Sequence, residues 1–491
     1  MNKSNLKGRI IYTGSTELNT YVYSGELLTS SDKTNLSHPI QLNNLYHYDS
    51  SNQLVITEGL EDVSAHFALF FKNQDLIKVP AKTVAVLNKY MTKDKLYDIH
   101  PDKDVAIELC LLFLSNLTDT FFKMRDTQDV YEKAGWKRLK AQILNEQLTG
   151  SKFESDTRKN IIAALAAGTS KGIIAECDGI YSKGHHSFSY RLGPAYLSKG
   201  VESYEVKTKY VKQLLNKAYF KAISETIDNP ICKNLIKVYG SIELPTKEEV
   251  LAEGRRLVKE KKKTKKGKLI SSLNKHKKEY FKDADERSFI EESIEIFEYL
   301  TDNGFMVPRV GNAKSGGRIS DSFTLMPSWI RNLVKMDGKK MIEADYSALH
   351  PNIAMSLYGG SKEFITHAEI SKESGIDIDS VKIEHLSFFN KTEKDMYKSN
   401  LVNYYSKNEL TMLRNLLEEK RTSEFEHKIT SMRMFKKEVD IMTEVIKDLN
   451  KVGIYVIYVY DALMCTESDK EEVTKMMNNV IINHGVKTIA K

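Results

Sequence analysis

Asp345 and Asp461 each close an apolar run with strand character, Met341-Ile-Glu-Ala-Asp345 and Ile454-Tyr-Val-Ile-Tyr-Val-Tyr-Asp461. Mg2+ takes hard oxygen ligands and keeps several of its waters, so two carboxylates at the mouth of one sheet suffice to clamp a pair of ions. Such ions activate an attacking oxygen and neutralise a departing one, which is most of what phosphoryl transfer from a triphosphate asks of a protein. A strand ending in Asp is, taken alone, more often a turn or cap residue. The weight therefore rests on what surrounds the two aspartates.

Ahead of Asp345 run Gly316-Gly-Arg318-Ile-Ser, Met326-Pro327, Ile330-Arg331, Asp337-Gly338 and Glu343-Ala-Asp345-Tyr346-Ser347. This order resembles the palm of family A DNA polymerases, in which a Gly-Arg-Leu-Ser segment precedes a hydrophobic Ala-Asp-Tyr-Ser strand. Tyr460-Asp461-Ala462-Leu463 is similar to the His-Asp turn of those enzymes and of phage single-subunit RNA polymerases. After Asp345, Ser347-Ala-Leu-His350-Pro351-Asn-Ile353 resembles instead the Asp-x-x-Ser-Leu-Tyr-Pro-Ser-Ile motif of family B, with Ala348 at its Ser and His350 at its Tyr. Lys382-Ile-Glu-His-Leu386-Ser-Phe-Phe389-Asn390 has the spacing of the family B fingers motif, but Leu386, Phe389 and Asn390 replace its Asn, Tyr and Gly. The chain reads as a divergent right-hand polymerase outside the named branches.

The resemblance implies roles residue by residue. Two Mg2+ ions, or Mn2+ in their place, would sit on Asp345 and Asp461 with the backbone carbonyl of Tyr346 as a third ligand. Lys382 would join them as a catalytic residue, meeting the triphosphate as a compact cation and protonating the leaving pyrophosphate. Tyr346, Ser347, His350 and Phe389 would line the nucleotide pocket, His350 standing where family B senses the sugar 2'-position. Arg318 and Arg331 would fork onto phosphates of primer or template. Each role has a plainer counterpart: a solvated helix lysine, a salt-bridge arginine, a core aromatic.

The elements that must position these residues give an expected fold class of α+β, multidomain: an antiparallel-sheet palm with helical thumb and fingers, preceded by β-containing and winged-helix-like regions. Residues 1–103 alternate Tyr, Ile and Val with turn residues, as in Gly8-Arg-Ile-Ile-Tyr12 and Thr20-Tyr-Val-Tyr23, and form a module of unassigned role. Residues 104–198 carry helical runs at 105–148 and 156–168. Two alternating strands joined through Ser182-Lys-Gly184 follow. Helices followed by such a hairpin resemble a winged helix-turn-helix, which would set Lys183, His185 and Arg191 against phosphates; an ordinary α+β connector is the alternative. Residues 199–303 read as a long helical, thumb-like stretch containing Gly254-Arg-Arg-Leu-Val-Lys-Glu-Lys-Lys-Lys-Thr-Lys-Lys-Gly-Lys268, with Lys262 and Lys265 as backbone contacts or merely a solvated face. The palm is expected at 304–360 and 451–491 and the fingers at 361–450. Within the fingers, Leu410, Leu413, Leu416 and Leu417 share one helix face and Val439, Met442, Val445, Ile446 and Leu449 another, the second helix stopping at Gly453.

Composition narrows the class without choosing within it. The 491 residues are 41% hydrophobic and 28% charged with a net charge of +7, which fits a multidomain globular protein and favours a polyanionic partner. Cys110, Cys177, Cys232 and Cys465 are scattered singly, so neither a disulfide framework nor a zinc site is indicated. The start of the chain shows no apolar core of a secretion signal, and Ala106–Ser115, the most apolar run, is too short to span a bilayer and carries Glu108. A cytoplasmic location without membrane partners is expected. The function these readings favour is template-directed nucleotidyl transfer, as a DNA-directed DNA polymerase of a phage, plasmid or mobile element acting on DNA template-primer and nucleoside triphosphates. A single-subunit RNA polymerase or primase-polymerase acting on RNA is the alternative within the enzyme class. A non-catalytic replication initiator or origin-binding protein is the alternative outside it. Oligomeric state, sugar preference and any exonuclease stay open in the sequence.

Overall fold

The computed structural model describes residues 68–120, 135–166, 173–180, 187–196, 200–273 and 286–491, together with five short strands nearer the start, Ile10–Tyr12, Leu18–Tyr23, Glu26–Leu28, Tyr46–Tyr48 and Leu54–Ile56. The first three of these strands form one antiparallel sheet and the last two a hairpin, in the region where Tyr- and Ile-rich text predicts strands. The described chain is α+β, mostly helical with several small sheets.

Two large cores organise the rest. The first gathers apolar residues between Ile77 and Leu215. Its elements are β1 (Leu76–Pro80), α1 (Lys103–Ser115), β2 (Lys137–Arg138), α2 (Ala141–Thr149), α3 (Asp156–Ala166), β3 (Ala175–Cys177), β4 (Ser189–Leu192) and β5 (Val201–Glu205). Asp102 caps α1 by accepting from the N–H groups of Asp104 and Val105. Every residue from Val105 to Ser115 is buried, as an all-round apolar helix requires. The acid within this buried stretch, Glu108, accepts hydrogen bonds from the Tyr204 hydroxyl, the N–H groups of Lys207 and Thr208, and the Thr208 hydroxyl. The expected helical run 105–148 is broken: Lys137–Arg138 pairs antiparallel with β4, and that tertiary pairing overrides local propensity. The expected hairpin is present, β3 pairing antiparallel with β4, and the sheet order is β2-β4-β3. Because β1 and β5 pair with one another and Ile77, Val79 and Val206 join this core, the body it defines is wider than 104–198.

The second core runs from Ile231 to Ala490 and also takes in Phe70. After α4 (Lys209–Ile227), which buries Val211, Leu214 and Leu215 in the first core and Tyr219, Phe220 and Ile223 in a small cluster of their own, this part of the chain continues through α5 (Pro230–Val238), β6 (Ile242–Glu243), α6 (Lys247–Lys259), β7 (Leu269–Ser271), β8 (Arg287–Phe289) and α7 (Ile290–Thr301). Then come β9 (Lys335–Met336), β10 (Lys339–Asp345), α8 (Leu349–Tyr358), α9 (Ile378–Phe388), α10 (Leu410–Thr422), α11 (Lys428–Lys451), β11 (Ile457–Val459), β12 (Ala462–Thr466) and α12 (Lys470–Asn483). The region 204–300 is therefore several helices divided by strands. Its lysine run is the end of α6 plus a loop closed by backbone bonds from Thr264 to Lys268 (2.8 Å) and from Gly267 to Thr264 (2.9 Å).

One five-stranded antiparallel sheet, ordered β6-β9-β10-β12-β11, carries both aspartates. The 24-residue α11 packs on α5, α8, α10 and α12 and buries Val439, Met442, Val445, Ile446 and Leu449, the predicted face. In α10 Leu413, Leu416 and Leu417 are buried while Leu410, at the first turn, is exposed. α11 ends at Lys451, two residues before Gly453 adopts a φ of 83°.

Candidate metal-binding active site

β10 ends at Asp345, whose partner across the sheet is Ala462, the residue next to Asp461. Asp461 itself lies in the two-residue turn between β11 and β12, which pair from Val459 to Ala462. Tyr460, the other turn residue, has a φ of 58°, a left-handed conformation that a tight hairpin demands and that a bulky side chain adopts at a cost. On its other edge Asp345 exchanges two backbone hydrogen bonds with Lys491, at 3.2 and 3.0 Å, while the Ser347 N–H donates to the Ile489 carbonyl at 2.9 Å. Tyr346 opposite Ala490 is thus the non-hydrogen-bonded pair of this ladder, so its own N–H and C=O turn to the opposite edge.

The two carboxyls are mutually costly. Burial, then the charge of Asp461, then that of Glu343 push Asp345 up to about 7, with Lys265 pulling the other way. Burial and then Glu438 push Asp461 up, opposed by His350 and Arg318. Asp345 Oδ1 is buried and has no hydrogen-bond partner among the described residues. A buried acceptor left unsatisfied beside a second carboxylate is what a hard cation would relieve, so the residues present fit a divalent ion. Among the described residues no group of three or more His, Cys, Asp or Glu is arranged to hold a metal; the pair stands by itself.

Behind Asp461 lies a second constellation. Gly316 has a φ of 63°, and a Cβ there would come within 2.4 Å of the Lys436 N and 2.5 Å of the Phe435 carbonyl carbon. Only glycine lets the loop press this closely on α11. The loop delivers Arg318, whose Nε donates to Glu438 Oε1 at 2.8 Å and whose Nη2 donates to Oε2 at 2.5 Å. His350 Nε2 lies 2.7 Å from Glu438 Oε2 and 3.0 Å from Arg318 Nη2. The guanidinium stacks over Phe435 at 3.6 Å and lies 5.0 Å from the Tyr460 ring. Burial pushes the Glu438 carboxyl up, but Arg318 and His350 outweigh it and hold it at about 2. Sequence reading missed Glu438. Its signal was available: an acid on the apolar stripe of α11, in step with Ile441, Met442 and Val445.

The other expected site residues divide. Arg318 reaches the site, but its fork is taken by Glu438 and not left for a phosphate. Arg331 is buried, with Nη1 donating to the carbonyls of Phe323 and Met326, which corrects its assignment to template or primer. The Tyr346 ring is buried with its hydroxyl on the Met477 carbonyl at 2.7 Å, so it offers no face to a nucleotide; its backbone carbonyl is the group that faces the site edge. Phe389 is likewise core, stacked on His385 at 6.0 Å. Ser347 sits at the junction of β10 and α8, its carbonyl accepting from the Thr488 hydroxyl. Lys382 is exposed on α9 with Asp379 at 3.4 Å and has His367 as an electrostatic neighbour. Lys262 is exposed, and Lys265 reaches Glu343 on β10 at 3.2 Å, two residues from Asp345. Arg191 is buried on β4, paired with Glu176 and stacked over Trp136 at 4.5 Å, and is not presented to a phosphate. Lys183 and His185 lie outside the described residues.

Among the described residues no helix is long and apolar enough to cross a membrane. Compared with models of known protein families the sequence matches none, and among curated proteins none is significantly similar.

Proposed function

We propose that this chain is a template-directed nucleotidyl transferase, a DNA-directed DNA polymerase of right-hand plan whose palm is the sheet β6-β9-β10-β12-β11. The observation that carries the reading is the meeting of Asp345 and Asp461, far apart in the chain, at one end of two hydrogen-bonded strands. Asp345, Asp461 and the Tyr346 carbonyl would hold the divalent ions. Bound there, Mg2+ supplies Lewis-acid neutralisation of a triphosphate and lowers the pKa of an attacking hydroxyl. The protein's own part is to present the two carboxylates side by side, where burial and neighbouring acids push both up and a dication would relieve them, and to fix their backbone. The Lys491 ladder on one side and the tight Tyr460-Asp461 turn on the other do the fixing. Lys265, paired with Glu343, brings the basic loop to the same strand end, where an incoming polyphosphate or nucleic-acid backbone would arrive. The α+β composition and the helices packed around the sheet support this plan.

The test is extension of a primed DNA template by the full chain with Mg2+, offering deoxyribonucleotides and ribonucleotides in parallel. The wild type should extend the primer with deoxyribonucleotides. Asp345→Asn and Asp461→Asn should each lose about 1,000-fold or more, since several kcal/mol of charge stabilisation depend on the metals. Extension by Asp461→Asn at the wild-type rate would remove the reading.

A further inference from the structure

Glu438 has no place in the roles assigned so far, yet it is fully buried and pairs with both Arg318 and His350. Arg318 and His350 both bear on the Asp461 carboxyl and both favour its charged form. The Arg318 guanidinium lies 5.0 Å from the ring of Tyr460, the residue before Asp461, and a guanidinium within reach of a carboxylate ordinarily closes onto it as a bidentate pair. Here its Nε–Nη2 edge is spent on Glu438 and its plane is stacked on Phe435. The close seat of Gly316 on α11 holds the backbone from which Arg318 projects.

We propose that Glu438 is a positioning residue for the metal site: by taking the Nε–Nη2 edge of Arg318 and the Nε2 of His350, it keeps both side chains off Asp461 and leaves that carboxylate open to a divalent ion. The inference rests on the reading of Asp345 and Asp461 as the metal-holding pair. Its physical content is a competition. A carboxylate captured by an arginine has its lone pairs occupied, and an uncompensated positive charge nearby repels an incoming dication. Removing the charge of Glu438 releases one cation toward Asp461 and makes the neighbourhood more positive by one unit.

The experiment measures Mn2+ binding to the full chain by electron paramagnetic resonance of the free ion, without nucleotide or nucleic acid. Glu438→Gln should bind Mn2+ about tenfold or more weakly, the order expected from one unit of charge at close range. Adding Arg318→Gln to Glu438→Gln removes the released cation and should restore most of the loss, a non-additivity that a merely structural role would not give. Arg318→Lys in the wild-type background loses the fork and keeps the charge; it should weaken Mn2+ in the same direction, and it serves as the readout should Glu438→Gln not fold. Mn2+ binding by Glu438→Gln or Arg318→Lys equal to wild type, or a double variant no better than Glu438→Gln, overturns the proposal. If the wild type itself binds no Mn2+ that Asp461→Asn abolishes, the metal site falls and the proposal with it. That outcome is distinct from loss of the Glu438 effect alone.

Discussion

Each core of this protein sets an arginine against a buried glutamate, and the two pairs have nearly the same local chemistry. Arg191 meets Glu176 with Nε at 2.7 Å and Nη2 at 2.5 Å, stacked on Trp136; Arg318 meets Glu438 at 2.8 and 2.5 Å, stacked on Phe435. Their reach differs. Glu176 and Arg191 are directly opposed on neighbouring strands, so that pair fixes the register of one hairpin. Arg318 and Glu438 are 120 residues apart and join a glycine loop to the helix that leads into the Asp461 hairpin, with His350 as a third member. A buried ion pair is weak evidence of stability in either case, because desolvation offsets its attraction. What separates the two is whether an acid that needs a cation stands next door.

The largest effect should come from breaking each pair on one side. Arg191→Met and Arg318→Met each strand a buried carboxylate and should lower stability by about 3–5 kcal/mol in urea unfolding. Replacing both partners in the first core, Arg191→Met with Glu176→Leu, should return stability to within about 1 kcal/mol of wild type, since apolar pairs of similar volume are tolerated there. Should Arg191→Met unfold no more easily than the wild type, the likeness between the pairs is lost.

Acid should expose the second pair next. Glu438 is held at about 2 against an ordinary 4.5, so its contribution to stability is present above the unfolded value and disappears as pH falls from about 4.5 through 2. The shift corresponds to roughly 3 kcal/mol at most. Glu438→Gln should flatten the acid limb of a stability profile over that window; an unchanged limb would show that the carboxylate is not held as described. The smallest effect concerns the lysine loop. Lys265 is 69% exposed in its pair with Glu343, so Lys265→Ala should cost under about 1 kcal/mol of stability. If the loop meets a nucleic-acid backbone, the same change should reduce the slope of log affinity against log salt by about one unit. An unchanged slope would confine Lys265 to its ion pair.

Much of the framework was legible because it follows periodicity. The buried helix at Lys103–Ser115, the two amphipathic helices before the Asp461 hairpin and the strand ending at Asp345 all declare themselves by the spacing of apolar residues. What stayed illegible were side-chain destinations. Arg318, Arg331 and Arg191 look alike in sequence, yet one faces a carboxylate beside the site, one caps backbone carbonyls and one pins a hairpin. Tyr346 and Phe389 went to the core because burial of an aromatic surface outweighs any pull a sequence motif suggests. Glu438 was overlooked because an acid in a helix is by habit placed on the solvent side.

The absence of room for a Cβ at Gly316 has a mechanical consequence. α11 is 24 residues and so about 36 Å long, and it touches α8 and α10 along one flank and the loop bearing Arg318 on another. The loop and the helix are thus joined twice over, backbone against backbone at Gly316 and through the fork of Arg318 on Glu438, within one helical turn of each other on the same rod.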